Sequence, residues 1–122
     1  MTRPGRPPQE GIYALGVEPR SIDDPGNGGT IEGNQTGYVE LVTTGAEVRT
    51  LADPSFRGQV IDLTFITDGG DCVVTAASPI NQAGNTIMTF ADIGDHVRLV
   101  GFNNATDGWE WRVVANDGAA QS

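Results

Sequence analysis

The stretch Gln59-Val-Ile-Asp-Leu-Thr-Phe-Ile-Thr67 alternates between two sets of side chains. One set is Ile61, Leu63 and Phe65, and the other is Asp62, Thr64 and Ile66. Alternate residues of a β-strand point to opposite faces, so the first set predicts an apolar face. This stretch is the clearest strand in the chain, and it indicates a fold built from strands.

Shorter stretches on both sides of it repeat the strand pattern. Turn-forming residues separate them at intervals of roughly 8 to 12 residues, which is the spacing of a sandwich or barrel. The turn residues at 103–108 lie between the last two of these strands and predict a hairpin. The predicted strands are 37–43, 47–51, 59–67, 72–75, 85–90, 96–102 and 109–114.

Composition agrees with short strands. The 122 residues include 17 Gly and 7 Pro, too many for long helices. We therefore predict an all-β domain over residues 37–116, an antiparallel β-sandwich or barrel-like fold of about seven short strands. Its core is small and has no disulfide, since Cys72 is the one cysteine, so association with other subunits would add stability.

The 36 residues before this domain differ in composition. They hold five of the seven prolines, and their apolar residues form one small group, residues 12–17. Such a segment cannot enclose a core of its own. We predict an extended Pro/Gly-rich arm over residues 1–36 that gains order only against another surface, and a flexible tail over residues 117–122.

The chain is acidic, with 16 Asp and Glu residues against 7 Arg and a formal net charge of -9. A polyanion would repel it, so we predict no nucleic-acid partner and no membrane partner. The start of the chain is Pro-rich and no apolar segment follows it. We therefore expect a soluble protein without an export signal.

Two acidic segments, Asp68-Gly-Gly-Asp71 and Asp92-Ile-Gly-Asp95, each bring two carboxylates together. Carboxylates so spaced could share a calcium ion, which prefers oxygen ligands from loops. Asp and Gly are also the favoured residues of tight turns for backbone reasons alone. The turn interpretation is favoured, because neither segment has the spacing of an EF-hand or a calcium-binding repeat. Calcium binding stays open.

No catalytic centre assembles in the sequence. His96 follows Asp95 directly, and neighbours in a strand point to opposite faces, so Asp95 is badly placed to orient the imidazole. No nucleophile signature surrounds Cys72, which we expect to be a small buried residue. We therefore predict that the protein is not an enzyme and has no catalytic residues, no cofactor and no metal site.

Trp109 and Trp111 are two residues apart and would share one face of a strand. That spacing suits a sugar-stacking platform, and it equally suits a core strand. We expect at least one of the two in the core, and which one is exposed stays open.

Several segments follow one another in a familiar order. They are 58–65, Cys72-Val-Val-Thr-Ala-Ala77, the Asn/Gly turn and Thr-rich strand of 80–90, Gly94-Asp-His-Val-Arg-Leu-Val100 and Gly108-Trp-Glu-Trp-Arg-Val-Val114. Over residues 37–114 this order resembles small β-domains of tailed-phage virions, which occur in head decoration (cement) proteins and in fibre or spike appendages. The resemblance implies a non-enzymatic structural protein, often a homotrimer, that reinforces contacts between major capsid subunits.

We expect a virion decoration protein on the capsid surface, made in the host cytoplasm, whose partners are the major capsid protein and further copies of itself. Arginines near the start of the arm would pair with acidic patches of a partner. The expected contact residues are Arg3, Arg6, Ile12, Tyr13, Leu15 and Val17. The alternative is a carbohydrate- or receptor-binding module of a phage tail fibre or spike.

Overall fold

The structure is a computed structural model, and it describes residues 20–122. In that part of the chain ten strands form two five-stranded sheets around a common core, and there is no helix. The strands are β1 (Arg20–Ile22), β2 (Thr30–Ile31), β3 (Gly37–Val42), β4 (Glu47–Leu51), β5 (Val60–Thr67), β6 (Cys72–Ala76), β7 (Ile87–Phe90), β8 (His96–Asn104), β9 (Gly108–Asp117) and β10 (Ala120–Gln121).

The first six strands alternate between the two sheets and pair in parallel within each sheet, and we call this part, residues 20–76, the parallel coil. β1, β3 and β5 lie side by side in the first sheet, and β2, β4 and β6 lie side by side in the second. Each connection from β1 to β6 therefore crosses from one sheet to the other. Parallel neighbours are far apart in the sequence, since Gly37 of β3 pairs with Ile61 of β5.

The last four strands add antiparallel pairs to this coil. β8 lies between β5 and β9 in the first sheet, and β7 lies between β6 and β10 in the second. The hairpin predicted at 103–108 joins β8 to β9. The predicted all-β sandwich is confirmed, but its sheets are mixed rather than wholly antiparallel. A period of two is common to parallel and antiparallel strands, so it identified the strands without giving their directions.

The core lies between the two sheets. Ile61, Leu63 and Phe65 of β5 are fully buried, as their alternation predicts. Phe65 meets Phe90 of β7 edge to face, with 6.5 Å between the ring centroids. Burying side chains of this size contributes about 1.5–3 kcal/mol each, so the two sheets hold together mainly through this apolar layer.

The sandwich begins before residue 37. Ile31 of β2 is buried, and the buried Gln59 donates from Nε2 to the carbonyl oxygens of Gly33 and Gln35, both at 3.0 Å. Residues 20–36 therefore belong to the sandwich, which corrects the second half of the predicted arm. Strands of two or three residues are too short to show a periodicity, and the composition of residues 20–36 did not indicate strands.

The sandwich also includes the end of the chain. Residues 117–122 were expected to form a flexible tail, but β10 pairs with β7 and Ala119 is buried. The backbone N–H of Ser122 donates to the carbonyl oxygen of Ile87 at 3.0 Å. Backbone pairing holds this segment together with the Gln121 side chain, which accepts from Asn81. Its small and polar side chains gave no signal in the sequence.

Stacked turns explain two adjacent glycines. The β5–β6 turn lies against the β3–β4 turn, where a Cβ on Gly70 would come within 2.5 Å of the backbone of Gly45 and Ala46. The Thr43 hydroxyl donates to the carbonyl oxygen of Gly70 at 2.6 Å and accepts from the N–H of Gly69 at 3.0 Å. Successive turns of the coil thus meet backbone to backbone, and only glycine leaves room for that.

Candidate functional site

A cavity of about 400 Å³ lies between the edge strand β9 and the β6–β7 loop, residues 77–86. Its wall holds two carboxylates, a guanidinium, side-chain amides and a hydroxyl. The lining residues are Ser78, Pro79, Asn81, Gln82, Gly84, Asp107, Glu110 and Arg112. Its volume is within the range of small-molecule sites in proteins.

Hydrogen bonds hold the loop against β9. The N–H of Val113 donates to the carbonyl oxygen of Ile80 at 3.0 Å, so the loop pairs with the edge of the sheet. The Asn81 amide donates to Asn85 Oδ1 and Gln121 Oε1, each at 2.9 Å. The wall of the cavity is therefore fixed by backbone and side-chain contacts.

Glu110 is the buried charge of this site, with 1% of its surface exposed. Its Oε1 accepts from Asn104 Nδ2 at 2.8 Å and from Arg112 Nη1 at 3.0 Å. The Arg112 guanidinium also lies over the Phe102 ring, 5.0 Å from its centroid, and donates to the carbonyl oxygen of Pro79 at 3.3 Å. The ion pair compensates the burial of the carboxylate, while the ring orients the arginine.

Several polar groups of the cavity remain free to bond a ligand. Among the described residues, Glu110 Oε2 has no hydrogen-bond partner, and neither do the side chains of Ser78, Gln82 and Asp107. Arg112 uses Nη1 for its bonds and keeps Nη2 and Nε. The site therefore offers both donors and acceptors to a polar molecule.

A second charged cluster surrounds Arg49 of β4, whose side chain is fully buried. Its Nε and Nη2 donate to the two oxygens of Asp24 at 2.7 and 3.0 Å, and Nη2 also lies 2.9 Å from Glu47 Oε1. Nη2 donates to the carbonyl oxygen of Val42 at 3.0 Å as well. This cluster joins the β1–β2 loop to β3 and β4, so its role is to hold the coil together.

The bonds of this cluster shift the pKa of its members. Burial alone would raise the pKa of Asp24, but the hydrogen bonds from Arg49, Val42 and Gly26 outweigh it and hold that pKa below its ordinary value. The hydrogen bond to Asp24 raises the pKa of Arg49, against the effect of burial. The pair is therefore charged at neutral pH.

His96 lies in a third cluster, on the face of the first sheet that points away from the core. Its Nδ1 is 2.6 Å from the Thr64 hydroxyl and its Nε2 is 3.0 Å from Asp62 Oδ1. Arg98 donates from Nε to that same Asp62 oxygen at 2.9 Å. Asp95, the sequence neighbour, is not the partner of His96, in agreement with the sequence argument.

This third cluster is a ladder of cross-strand pairs. Asp62 faces Arg98 and Thr64 faces His96 in the register of β5 with β8. None of these four side chains lines the cavity. Polar pairs directly opposite each other stabilise a sheet, which accounts for the arrangement. Their proximity depends on strand register, which the sequence did not provide.

Cys72 is buried, as predicted. Burial raises the pKa of its thiol to about 11, so the sulfur is protonated at neutral pH. A protonated and enclosed thiol is a poor nucleophile.

The two tryptophans differ in exposure. Trp111 is fully buried and donates from its indole N–H to the carbonyl oxygen of Ala52 at 2.8 Å, which confirms that at least one tryptophan lies in the core. Trp109 is half-buried, and the Arg57 guanidinium lies 5.6 Å from its ring centroid. The two indoles therefore do not form a joint platform.

In the acidic segment 92–95, a carboxylate bonds to the backbone of its own turn. Asp95 is buried, and its Oδ2 accepts from the backbone N–H of Ala91 at 2.9 Å and of Asp92 at 3.1 Å, so it closes its own turn. Together with the stacked glycines of 68–71 this favours the turn interpretation. Within residues 20–122, no three His, Cys, Asp or Glu side chains are grouped as a metal ion requires.

The sequence did not single out Glu110 and Arg112, which the fold brings to the cavity. A signal was available, since a glutamate that lies directly between two tryptophans in a strand is unusual. The predicted contact residues lie outside the described part of the chain; they are Arg3, Arg6, Ile12, Tyr13, Leu15 and Val17.

Comparison with protein-family models finds no match for the chain, and comparison with curated proteins finds none. The described residues contain no helix that is long and apolar enough to cross a membrane.

Proposed function

We propose that this protein is a non-enzymatic structural protein of a virion, a capsid decoration or cement protein that acts as an oligomer. The observation that carries the proposal is the open side of the sandwich at β1 and β2. β1 pairs with β3 and β2 pairs with β4, and no other described residue pairs with either strand. Edge strands with free backbone groups accept a strand from another molecule.

The sequence before β1 adds support. Residues 1–19 directly precede β1 in the sequence, since β1 begins at Arg20. In the proposed role, Arg3, Arg6 and the apolar group at 12–17 contact the major capsid protein or a neighbouring subunit at the capsid surface. The net charge of -9 would keep densely decorated particles from clumping.

The test is a deletion of residues 1–19, which spares β1 and β2. We expect the shortened protein to keep the circular dichroism spectrum of a β-protein and to lose binding to shells of the major capsid protein encoded nearest to its gene, measured by co-sedimentation. A full-length Arg3→Ala, Arg6→Ala variant should bind more weakly. Unchanged binding after the deletion would contradict the contact role.

The oligomeric state is tested separately. Size-exclusion chromatography with light scattering should give three copies of the 12.8 kDa chain. A monomer at all concentrations would contradict the oligomeric part of the proposal.

A carbohydrate- or receptor-binding module of a phage fibre or spike is a second proposal. Trp109 favours it, because one half-buried indole at the start of β9 can stack on a ligand once Arg57 moves aside. A glycan array should detect stronger binding by the wild type than by Trp109→Ala. Equal signals from both proteins would contradict a role for Trp109.

A further inference from the structure

The cavity between β9 and the β6–β7 loop has the properties of a ligand site. We propose that it binds a neutral polyhydroxylated molecule such as a single saccharide ring, through Glu110, Arg112 and the polar side chains of the loop. The inference does not depend on the virion role, since a structural protein can also hold a ligand. It also uses residues other than Trp109, which does not line the cavity.

The charges of the cavity select against ions. Its lining contains the carboxylates of Asp107 and Glu110 and the guanidinium of Arg112, so an anionic ligand would meet net negative charge. A divalent cation would meet only two carboxylates in the lining, and the charge of one of them, Glu110, is already compensated by Arg112. A neutral polar molecule avoids both penalties.

The free groups of the cavity match the chemistry of hydroxyls. A sugar hydroxyl donates one hydrogen bond and accepts others. Glu110 Oε2 would accept from one hydroxyl, while Arg112 Nη2 would donate to its neighbour. A charged acceptor beside a charged donor makes two strong bonds to adjacent hydroxyls. Gln82 and Ser78 each supply a donor and an acceptor on the loop side.

The site is formed before any ligand arrives. Glu110 is held by Asn104 and Arg112, and Arg112 is held by Pro79 and the Phe102 ring. Side chains that are already fixed lose little conformational entropy on binding. This distinguishes the cavity from an accidental groove between mobile surface residues.

The experiment is a titration of the full-length, ¹⁵N-labelled chain with unmodified monosaccharides: glucose, galactose, mannose and N-acetylglucosamine. We expect at least one sugar to give saturable amide shifts in residues 78–84 and 107–112. Saturation by none of them, or shifts located elsewhere, would overturn the proposal. Inorganic phosphate and calcium chloride serve as ionic probes, and saturable binding of either in the cavity would overturn the neutral-ligand assignment.

Glu110→Gln tests the central contact with almost no change in shape. Losing a charge-assisted hydrogen bond should weaken binding at least about tenfold. Asp62→Asn is a matched control, because Asp62 is also a buried carboxylate paired with an arginine, and it lies outside the cavity. Its affinity should equal that of the wild type.

Two further variants keep the result interpretable. Gln82→Ala removes an exposed side chain of the wall and should weaken binding several-fold without affecting folding. Trp109→Ala should leave binding unchanged, because neighbours in a strand point to opposite faces. Loss of binding in Trp109→Ala with full binding in Glu110→Gln would overturn the cavity site and support the Trp109 platform.

Discussion

The parallel coil and the antiparallel half of the sandwich, β7 to β10, each bury a charged group. The two groups differ in how many of their hydrogen-bonding atoms have partners within the protein. In the parallel coil, Arg49 directs its donors to Asp24, Glu47 and backbone carbonyls, so its bonding capacity is taken up within the protein. In the antiparallel half, Glu110 lines a cavity and uses one oxygen, while its other oxygen has no partner among residues 20–122. A saturated cluster has nothing left for a ligand, whereas an unsaturated one can bind.

This difference follows from where the two groups lie. Arg49 is on β4 and bonds to residues of three separate segments, so removing it disconnects the β1–β2 loop from the coil. Glu110 is on an edge strand, and its nearest polar partners come from its own hairpin and strand. We therefore expect the first cluster to control stability and the second to control binding.

Arg49→Met should have the largest effect on stability. Removing one partner from a buried ion pair leaves Asp24 and Glu47 without their cation, and we expect the free energy of unfolding to fall by about 3 kcal/mol. Urea denaturation measures it. Arg98→Met is the control, since that guanidinium is 53% exposed and should cost less than about 1 kcal/mol. An equal fall in the free energy of unfolding in Arg49→Met and Arg98→Met would show that Arg49 does not stabilise the coil.

The connection between the two halves is tested by Trp111→Phe. The indole of this β9 residue donates to Ala52, which follows β4, so it ties the hairpin to the coil. Losing that bond leaves the half-buried carbonyl of Ala52 without its partner and creates a small void, and we expect the free energy of unfolding to fall by about 2 kcal/mol. Trp109→Phe, with a half-buried ring, should cost well under half as much. A similar loss of unfolding free energy in both variants would show that the hydrogen bond from Trp111 to Ala52 does not connect the two halves.

The strands of both halves were predictable from local pattern, and the pairing was not. The alternation at 59–67 correctly identified the buried face of β5. Whether β5 pairs with β3 in parallel or antiparallel depends on contacts between distant residues. β1, β2 and β10 are too short to show periodicity, so the domain extends further at each end than composition indicated.

The charged clusters were harder to predict than the strands. The alternation of β4 would put the apolar Val48 inside, yet Val48 is 53% exposed and Arg49 is buried. The reason lies in Asp24, a residue 25 positions away that the β1–β2 loop brings to Arg49. Glu110 was missed because the cavity wall that it shares with the β6–β7 loop forms only when the chain folds.

A finer comparison comes from the stability of Glu110→Gln. Glutamine keeps an oxygen for Asn104, and Arg112 is partly solvated once its partner is neutral. We expect a loss of about 1 kcal/mol, much smaller than for Arg49→Met. Thermal and urea unfolding of both variants under one set of conditions check the ranking. A loss as large as that of Arg49→Met would show that both charged clusters are structural.

The smallest effect should appear in the pH dependence of stability. The pKa of Asp24 is lower in the folded protein than its ordinary value of 3.8, so the unfolded chain takes up a proton first on acidification. The contribution of Asp24 is therefore complete above that value and is lost as the pH falls through the lower folded pKa. Asp24→Asn removes this contribution at every pH.

Urea denaturation between pH 7 and pH 3 should thus show wild type and Asp24→Asn converging as the solution becomes acidic, with the wild type more stable at neutral pH. Every other carboxylate is common to the two proteins, so the difference between their curves isolates Asp24. Asp23→Asn is the matched control, because Asp23 is the exposed neighbour of Asp24 and makes no bond to Arg49. Its curve should run parallel to that of the wild type. A constant gap between wild type and Asp24→Asn down to the acid limit would mean that the Asp24 charge does not stabilise the coil.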